Sequence, residues 1–518
     1  MIHTDLIVPV SELLARHAKQ RAEKVAFQDA GKSVTYAELN AATANLAAHL
    51  ERLGVAQGDR VAILLPNSVN WVISLLAICR AGAVAVPISI DATDAEIAYR
   101  LTDAQCVLTI TMSSKLGQLE NVHRELPIRP LMVVVQSGDA PLAEHSFDEL
   151  TQEGIGASPR DPGDIDAPAF VIYTSGTTGK AKGVLLTTRS MLWVVGACWV
   201  PIAGLNENDK VLSFLPLFHS YALNLSVLAV LAVGATEYVG GKYSTAETLR
   251  LLQTGEYTVL PGVPTMFHYL LEGTRDMQSL QFPSLRVCLS AGAILPAAVN
   301  EQFESRFGVH LLDGYGITET STMVTMNWNS GTRVMGSCGL PIPGVETRIV
   351  DPTDGSDVDV GKEGELIVRG PNVMKGYLNK PEETAAALKN GWYHTGDLAK
   401  HDSAGYLTIT GRLKEVIIRG GQNIAPAEVE EAVMAFSGVA DCAVVGVPHT
   451  LLGEVPVAFV VVRAGECIDI EDLLKHCANR LSAYKLPQTV QIVEDIPRTG
   501  SGKIMRFKLR ELVVASAA

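Results

Sequence analysis

The chain has 518 residues, of which 47% are hydrophobic and 19% charged, and a formal net charge of −14. The length exceeds one compact core and points to two or more domains, while the apolar content excludes a largely disordered chain. The acidic balance excludes a general nucleic-acid binder, which needs clustered Lys and Arg, but not a phosphate-rich small ligand held by backbone N–H groups and a few lysines.

Residues 1–19 mix charges with short apolar stretches, as an amphipathic helix does, and lack the long apolar core of a secretion signal. Thr35 followed by Glu38 predicts a capping box opening a second helix. From residue 13 to 171, helical patterns alternate with short Val/Ile/Ala-rich runs at 60–65, 83–87, 106–110 and 131–135. The runs at 211–214, 257–260 and 285–289 continue the pattern. Such alternation predicts an α/β fold of mostly parallel sheets covered by helices. Residues 223–235 form the longest apolar run, but it contains Asn224 and Ser226 and falls short of the roughly 20 residues a membrane span needs. It reads as a buried helix, and no integral membrane segment is expected. Eight cysteines show no C-x-x-C pair and no zinc spacing, which fits buried reduced thiols in a cytoplasmic protein.

After Gly336 the texture changes to short strands and Gly/Pro/Asp turns, predicting a β-rich subdomain or small barrel over about 336–411. From residue 412 the chain restarts, with strands at 416–418, 439–447 and 455–462 and helices at 427–434 and 471–481. This predicts a small α+β C-terminal domain, 412–518, after a large N-terminal domain, 1–411.

One segment stands out chemically: Tyr173-Thr174-Ser175-Gly176-Thr177-Thr178-Gly179-Lys180-Ala181-Lys182-Gly183, behind the strand-like run 169–172. Small residues let backbone N–H groups approach an anion, hydroxyls add donors, and lysines add charge. It is not a Walker A loop, because only two residues separate Gly176 from Gly179 and Ala181 follows Lys180. The segment resembles the phosphate-binding signature of the adenylate-forming superfamily, in its acyl-CoA synthetase branch. Ala181 stands where that family often has Pro.

The resemblance spans about residues 12–512, with motifs in family order. Asp313-Gly314-Tyr315-Gly316-Ile317-Thr318-Glu319 is similar to the adenine and magnesium segment. Tyr315 offers a flat face to a purine, Thr318 a donor to a phosphate oxygen, and Glu319 a hard ligand for Mg²⁺. The resemblance adds Thr178 as a second metal contact. It also implies that Asp397 binds the ribose with Arg412 as partner, that Lys414 is the hinge of a mobile C-terminal domain, and that Lys503 is the catalytic lysine. Gly420 and Gly421 would let the pantetheine arm of coenzyme A pass close to backbone.

His219, Ser220 and Tyr221 fall in the family's acyl-pocket segment, with Val263, Ala291, Gly292 and Ala293 lining the same pocket. His219 stands where amino-acid-activating relatives carry an Asp, which disfavours an α-amino acid substrate. The small apolar lining suits a hydrophobic tail. The resemblance therefore implies an ATP-dependent ligase for a fatty or aryl carboxylic acid, with ATP, Mg²⁺ and coenzyme A. A carrier protein is the alternative acyl acceptor, and a homodimer is an assembly the sequence leaves open.

Overall fold

The computed structural model describes residues 1–135, 145–174, 181–277, 282–420, 422–499 and 504–517, with backbone alone at 423 and 514–517. Two large sheets form its body. One runs Gly376–Tyr377, Lys182–Thr187, Pro168–Thr174, Val84–Pro87, Arg60–Ile63, Cys106–Met112, Leu131–Val135, His145–Ser146. Its strands from Pro168–Thr174 to His145–Ser146 pair in parallel, as the alternating helix and strand patterns predict. The other runs Leu340–Pro341, Thr325–Met326, His310–Tyr315, Val287–Ser290, Val259–Gly262, Lys210–Ser213, Thr236–Val239, Val25–Gln28, Ser33–Thr35. It is parallel from His310–Tyr315 through Val25–Gln28.

Helices Tyr36–Arg52 and Val69–Arg80 pack between these layers, with Trp71, Leu75 and Leu76 fully or almost fully buried. The Thr35–Glu38 capping box forms as expected: Thr35 N–H donates to Glu38 Oε2 at 2.8 Å. The amphipathic N-terminus is a short 3₁₀ turn, Thr4–Leu6, followed by the helix Val10–Gln20.

The apolar run near residue 223 is a buried helix with a π-helical middle, Leu223–Ala229, between the α-helical pieces Ser220–Ala222 and Val230–Val233. Its polar residues explain the wide turn. Asn224 Nδ2 donates to the Met191 carbonyl at 2.8 Å, and Trp199 Nε1 donates to Asn224 Oδ1 at 2.6 Å. Trp199 itself ends a second π turn, Val195–Trp199. Paired π turns tied by a buried amide are local distortions that place side chains, and they often mark functional regions. Gly234 ends the helix at φ +77°, where a Cβ would meet the His17 ring at 2.7 Å. Among the described residues, no helix is long and apolar enough to cross a membrane.

The β-rich stretch forms an open antiparallel sheet, in which Trp392–His401 pairs with Gly364–Arg369, Leu388–Lys389 and Leu407–Arg412, and Gly364–Arg369 with Glu346–Val350. Its short strands Leu340–Pro341 and Gly376–Tyr377 join the two large sheets instead. The stretch is thus stitched into the body on both sides. Beyond it, Gly453–Val462 pairs with Val439–His449 and, in parallel, with Thr489–Ile492. Helices Pro426–Met434 and Ile470–Ala478 cover one face of this last sheet around Val429, Val444 and Leu473. Helix Arg506–Ala517, which the sequence pattern did not announce, lies against the other face through Leu509.

Candidate active site

The site lies where the C-terminal edges of the two large sheets meet the antiparallel sheet. Strand His310–Tyr315 delivers Asp313, Gly314 and Tyr315, and a 3₁₀ turn, Thr318–Thr320, follows. Glycine is obligatory at 316, where a Cβ would fall 1.6 Å from the Thr322 carbonyl oxygen. Ser321 and Thr322 have φ values of +52° and +104°, a strained pair in a region L-residues avoid. That strain folds the chain back so that Thr318 and Glu319 sit at the mouth of the sheet.

The Tyr315 hydroxyl donates to Asp397 Oδ2 at 2.5 Å, and Arg412 Nε meets Asp397 Oδ1 at 3.0 Å. Asp397 and Arg412 face each other across neighbouring strands. Tyr315 and Arg412, far apart in sequence, therefore meet on the one buried carboxylate of Asp397; the motifs had paired only Arg412 with it. Burial, then the Asp397 carboxylate, pushes the Tyr315 hydroxyl well above its ordinary pKa, so it stays a donor. Burial likewise pushes the Asp313 carboxyl well above the usual carboxylate range, against the Gly314 N–H and the Ser290 hydroxyl.

The acyl segment joins the same centre. His219 caps the helix beginning at Ser220, its Nδ1 accepting from Tyr221 N–H at 3.4 Å. Ser220 Oγ lies 3.1 Å from Thr318 Oγ1, and the Tyr221 hydroxyl donates to the Leu289 carbonyl at 3.0 Å. Ala291 is buried, Gly292 turns at φ +89°, and a Cβ on Gly292 would touch Val263 at 3.7 Å. Ala293 is exposed in the same turn, so the lining opens to solvent there.

Strands Pro168–Thr174 and Lys182–Thr187 form a hairpin closed at the Thr174↔Lys182 pair. Residues 175–180, the glycine-rich segment that includes Ser175, Gly176, Thr177 and Thr178, lie outside the described residues. The Tyr99 hydroxyl donates to the Ala181 carbonyl at 2.8 Å and fixes the loop's exit. Lys182 Nζ meets Glu383 Oε2 at 2.5 Å and sits 5.0 Å above the Tyr377 ring. The Tyr377 hydroxyl in turn donates to Glu319 Oε1 at 3.2 Å. Tyr377 and Glu383 were not foreseen, because residues nearly 200 positions from the loop carry no local signal. Among the described residues, no cluster of three or more His, Cys, Asp or Glu is placed to hold a metal.

Lys414 sits in the turn at 413–415, between strands Leu407–Arg412 and Ile417–Arg419. Gly420 adopts φ +58° and its N–H donates to the Leu452 carbonyl at 2.7 Å. Gly421 and Lys503 lie outside the described residues. The C-terminal unit touches the helix Pro264–Gly273 of the body, where Arg463 Nη2 meets Glu272 Oε1 at 3.6 Å.

Comparison with known proteins agrees with this geometry. The AMP-binding enzyme family model matches residues 14–378, and the AMP-binding enzyme C-terminal domain model matches residues 428–503. A long-chain-fatty-acid–CoA ligase of Yersinia pestis is 34% identical, the match covering 98% of this chain and 95% of that protein. A feruloyl-CoA synthase of Amycolatopsis sp. is also 34% identical, covering 96% of this chain and 97% of that protein. The crystal structure of the anthranilate CoA ligase AuaEII with anthranoyl-AMP superposes with a TM-score of 0.91 at 27% identity, covering 98% of each chain. The chain belongs to the AMP-binding enzyme family, in the acyl-CoA synthetase branch of the adenylate-forming superfamily.

Proposed function

We propose that this chain is an AMP-forming acyl-CoA synthetase for a hydrophobic carboxylic acid, fatty or aryl. It makes the acyl-adenylate from ATP and passes the acyl group to the thiol of coenzyme A. The observation that carries the reading is the meeting of Tyr315, Asp397 and Arg412 on one carboxylate, beside the Ser220–Thr318 contact. In this reading Asp397 accepts the two ribose hydroxyls, Tyr315 and Asp313 face the adenine, and Thr318 donates to the α-phosphate. The acyl chain runs along Tyr221, Val263 and Ala291. Two relatives named for fatty and feruloyl acids support the substrate class.

In the first step, a carboxylate oxygen of the acid bonds to the α-phosphorus. The α–β phosphoanhydride bond breaks, and pyrophosphate leaves. Two anions approach each other, so the chain's task is positioning and charge neutralisation. Lys182 and the hydroxyls of the glycine-rich loop hold the departing pyrophosphate, and Lys503 bridges the carboxylate and α-phosphate. In the second step the sulfur of coenzyme A bonds to the acyl carbon, the thiol proton is released, and the bond to AMP breaks. Rotation about Lys414 removes Lys503 and brings Gly420 and Gly421 to the thiol's entrance.

Glu319 fits a role in holding Mg²⁺, with Thr178 as the second contact. Mg²⁺ takes one or two carboxylates, keeps several waters, and completes its shell with phosphate oxygens. A single carboxylate steadied by Tyr377, one position from Thr318, meets that need. Held there, the ion would supply charge neutralisation to the phosphates. Free cysteines, all buried but Cys467, fit a reducing cytoplasmic setting.

Pyrophosphate release measured across a panel of fatty and aryl acids, with mass spectrometry of the thioester, tests the proposal. Acid-dependent release of pyrophosphate and AMP with an acyl-CoA product is expected. Release of ADP and phosphate would overturn the adenylate chemistry, and a thioester found only on a carrier protein would overturn coenzyme A as acceptor.

A further inference from the structure

The turn that presents Asp397 is built by an irregularity in the antiparallel sheet. Along Gly364–Arg369, Glu365 pairs with Leu398 but Ile367 pairs with His394. Residues 395–397 therefore loop out opposite Leu366, a bulge of the kind that re-aims a side chain next to a functional site. Gly396 accommodates it at φ +69°.

Glu365 fastens this bulge from inside. It is 8% exposed, and both of its oxygens are used. Oε1 accepts from the Gly396 N–H at 3.1 Å, and Oε2 meets His394 Nδ1 at 2.8 Å. A second tie comes from Thr395, whose hydroxyl donates to the Leu366 carbonyl at 2.6 Å and accepts from the Asp397 N–H at 3.0 Å. Outward, the same three residues grip both the site and the hinge. Asp397 meets Tyr315 and Arg412, and the Gly396 carbonyl accepts from Leu413 N–H at 2.9 Å, one residue before Lys414.

A buried carboxylate is costly unless each oxygen is satisfied. Here both partners lie in or beside a single bulge, and among the described residues no Lys or Arg pairs with the carboxylate. The ladder uses only the backbone of Glu365, which pairs with Leu398 on one side and Val350 on the other, and leaves its carboxylate to other work. The carboxylate is thus spent on holding residues 394–396 in one shape. We infer that Glu365 is a positioning residue for nucleotide binding, acting through the Gly396 N–H to fix Asp397 against the ribose hydroxyls. The inference rests on the ribose reading of Asp397 given above.

The test compares ATP with 2′,3′-dideoxyATP, which lacks the hydroxyls Asp397 would bind, in steady-state pyrophosphate release by the full chain. Glu365→Ala should raise the KM for ATP about tenfold, the size of loss a misplaced binding group produces. The KM for dideoxyATP and for the acid should stay within about twofold. Glu365→Gln, which keeps an acceptor for Gly396, should recover most of the ATP affinity. Equal effects of Glu365→Ala on ATP and dideoxyATP would overturn the inference and leave Glu365 a purely structural residue. Should Glu365→Ala not fold, Thr395→Val removes the other tie and carries the same expected split. Asp397→Asn separates the two layers of the argument. If Asp397→Asn raises the KM for ATP and for dideoxyATP equally, the ribose reading itself falls; if it raises the KM for ATP alone and the Glu365 and Thr395 variants do not, only the positioning role falls.

Discussion

Ser220 Oγ lies 3.1 Å from Thr318 Oγ1, so the acyl segment and the phosphate-facing turn share one hydrogen bond. The Thr322 hydroxyl, donating to the Ser220 carbonyl at 3.0 Å, doubles the tie. The proposed acid and nucleotide sites are therefore set in register by the same few atoms. Thr318→Val keeps the shape and deletes the hydroxyl, and should lower the adenylation rate by about 10–100-fold if Thr318 meets developing charge. Ser220→Ala should cost about 2–5-fold, and the double variant no more than Thr318→Val alone, because both act through one bond. Multiplied effects in single-turnover adenylation would show two independent hydroxyls.

Lys182 is engaged by Glu383 at 2.5 Å on the helix Pro381–Ala387. A phosphate that takes Lys182 must compete with this carboxylate. The pair is partly exposed, at 21% for Lys182 and 40% for Glu383, and such pairs are worth little in water. Glu383→Gln should therefore lower the KM for ATP only about 2–3-fold, while Lys182→Ala should raise it tenfold or more. Added salt should shrink the Glu383→Gln advantage, since screening weakens the competing pair. A higher KM in Glu383→Gln would show that Glu383 orients Lys182 rather than competing for it.

Arg506, at the start of the last helix, ties that helix to Glu415 beside the proposed hinge. Its Nε meets Glu415 at 3.0 Å, its Nη1 meets Glu430 at 2.5 Å, and Nη1 also donates to the Val444 carbonyl. Burial works against its charge, but the Glu430 and Glu415 carboxylates hold the guanidinium well above its ordinary pKa. Glu415 adjoins Lys414, and Arg506 follows Lys503 by three positions. Lys503→Ala should lower adenylation about 100-fold or more while sparing thiolysis of a preformed acyl-adenylate. Lys414→Pro should do the converse, through the backbone freedom that a domain rotation needs. Equal loss of both half-reactions in either variant would contradict the division of labour.

Gly316→Ala tests the strained turn directly. The added methyl would meet the Thr322 carbonyl oxygen at 1.6 Å, with the backbone atoms beyond it also inside contact distance. Overpacking of this kind costs about 1–3 kcal/mol or more and moves the turn that carries Thr318 and Glu319. Adenylation should fall at least 100-fold, a larger loss than any accompanying change in thermal midpoint predicts. An active Gly316→Ala enzyme would mean that Thr322 relaxes freely and that the turn is not held in place.

The residues that meet in the candidate site were legible in the sequence chiefly through the family resemblance, since Asp397 alone reads as a turn residue. Tyr315, Asp397 and Arg412 were named from separate motifs, and the fold joins them on one carboxylate. The parallel sheets were equally legible from apolar runs such as 106–110, observed as Cys106–Met112. What escaped was whatever depends on pairing at a distance. Glu383 reaches Lys182 only because Gly376–Tyr377 adds to the hairpin strand Lys182–Thr187. Glu365 reads as one residue of an alternating strand, and only the register break with Trp392–His401 gives it a task. The π turns were hidden too, since Asn224 within an apolar run signals a buried polar group but not the widened helix that satisfies it.

Glu237 offers a prediction that is independent of catalysis. It is fully buried on the strand Thr236–Val239, opposite the π turn, and burial pushes its carboxyl well above the ordinary 4.5, with the Ser226 hydroxyl offsetting part of the effect. An acid whose folded pKa is raised favours folding fully below its unfolded pKa and loses that contribution as pH climbs toward the folded value. The window therefore opens near pH 4.5 and extends upward, with a slope of at most about 1.4 kcal/mol per pH unit from this one group. Glu237→Gln cannot ionise and escapes the slope. Its apparent thermal midpoint should gain on the parent chain steadily from pH 5 to pH 8. A constant offset between the two chains across that range would show that Glu237 does not titrate against folding.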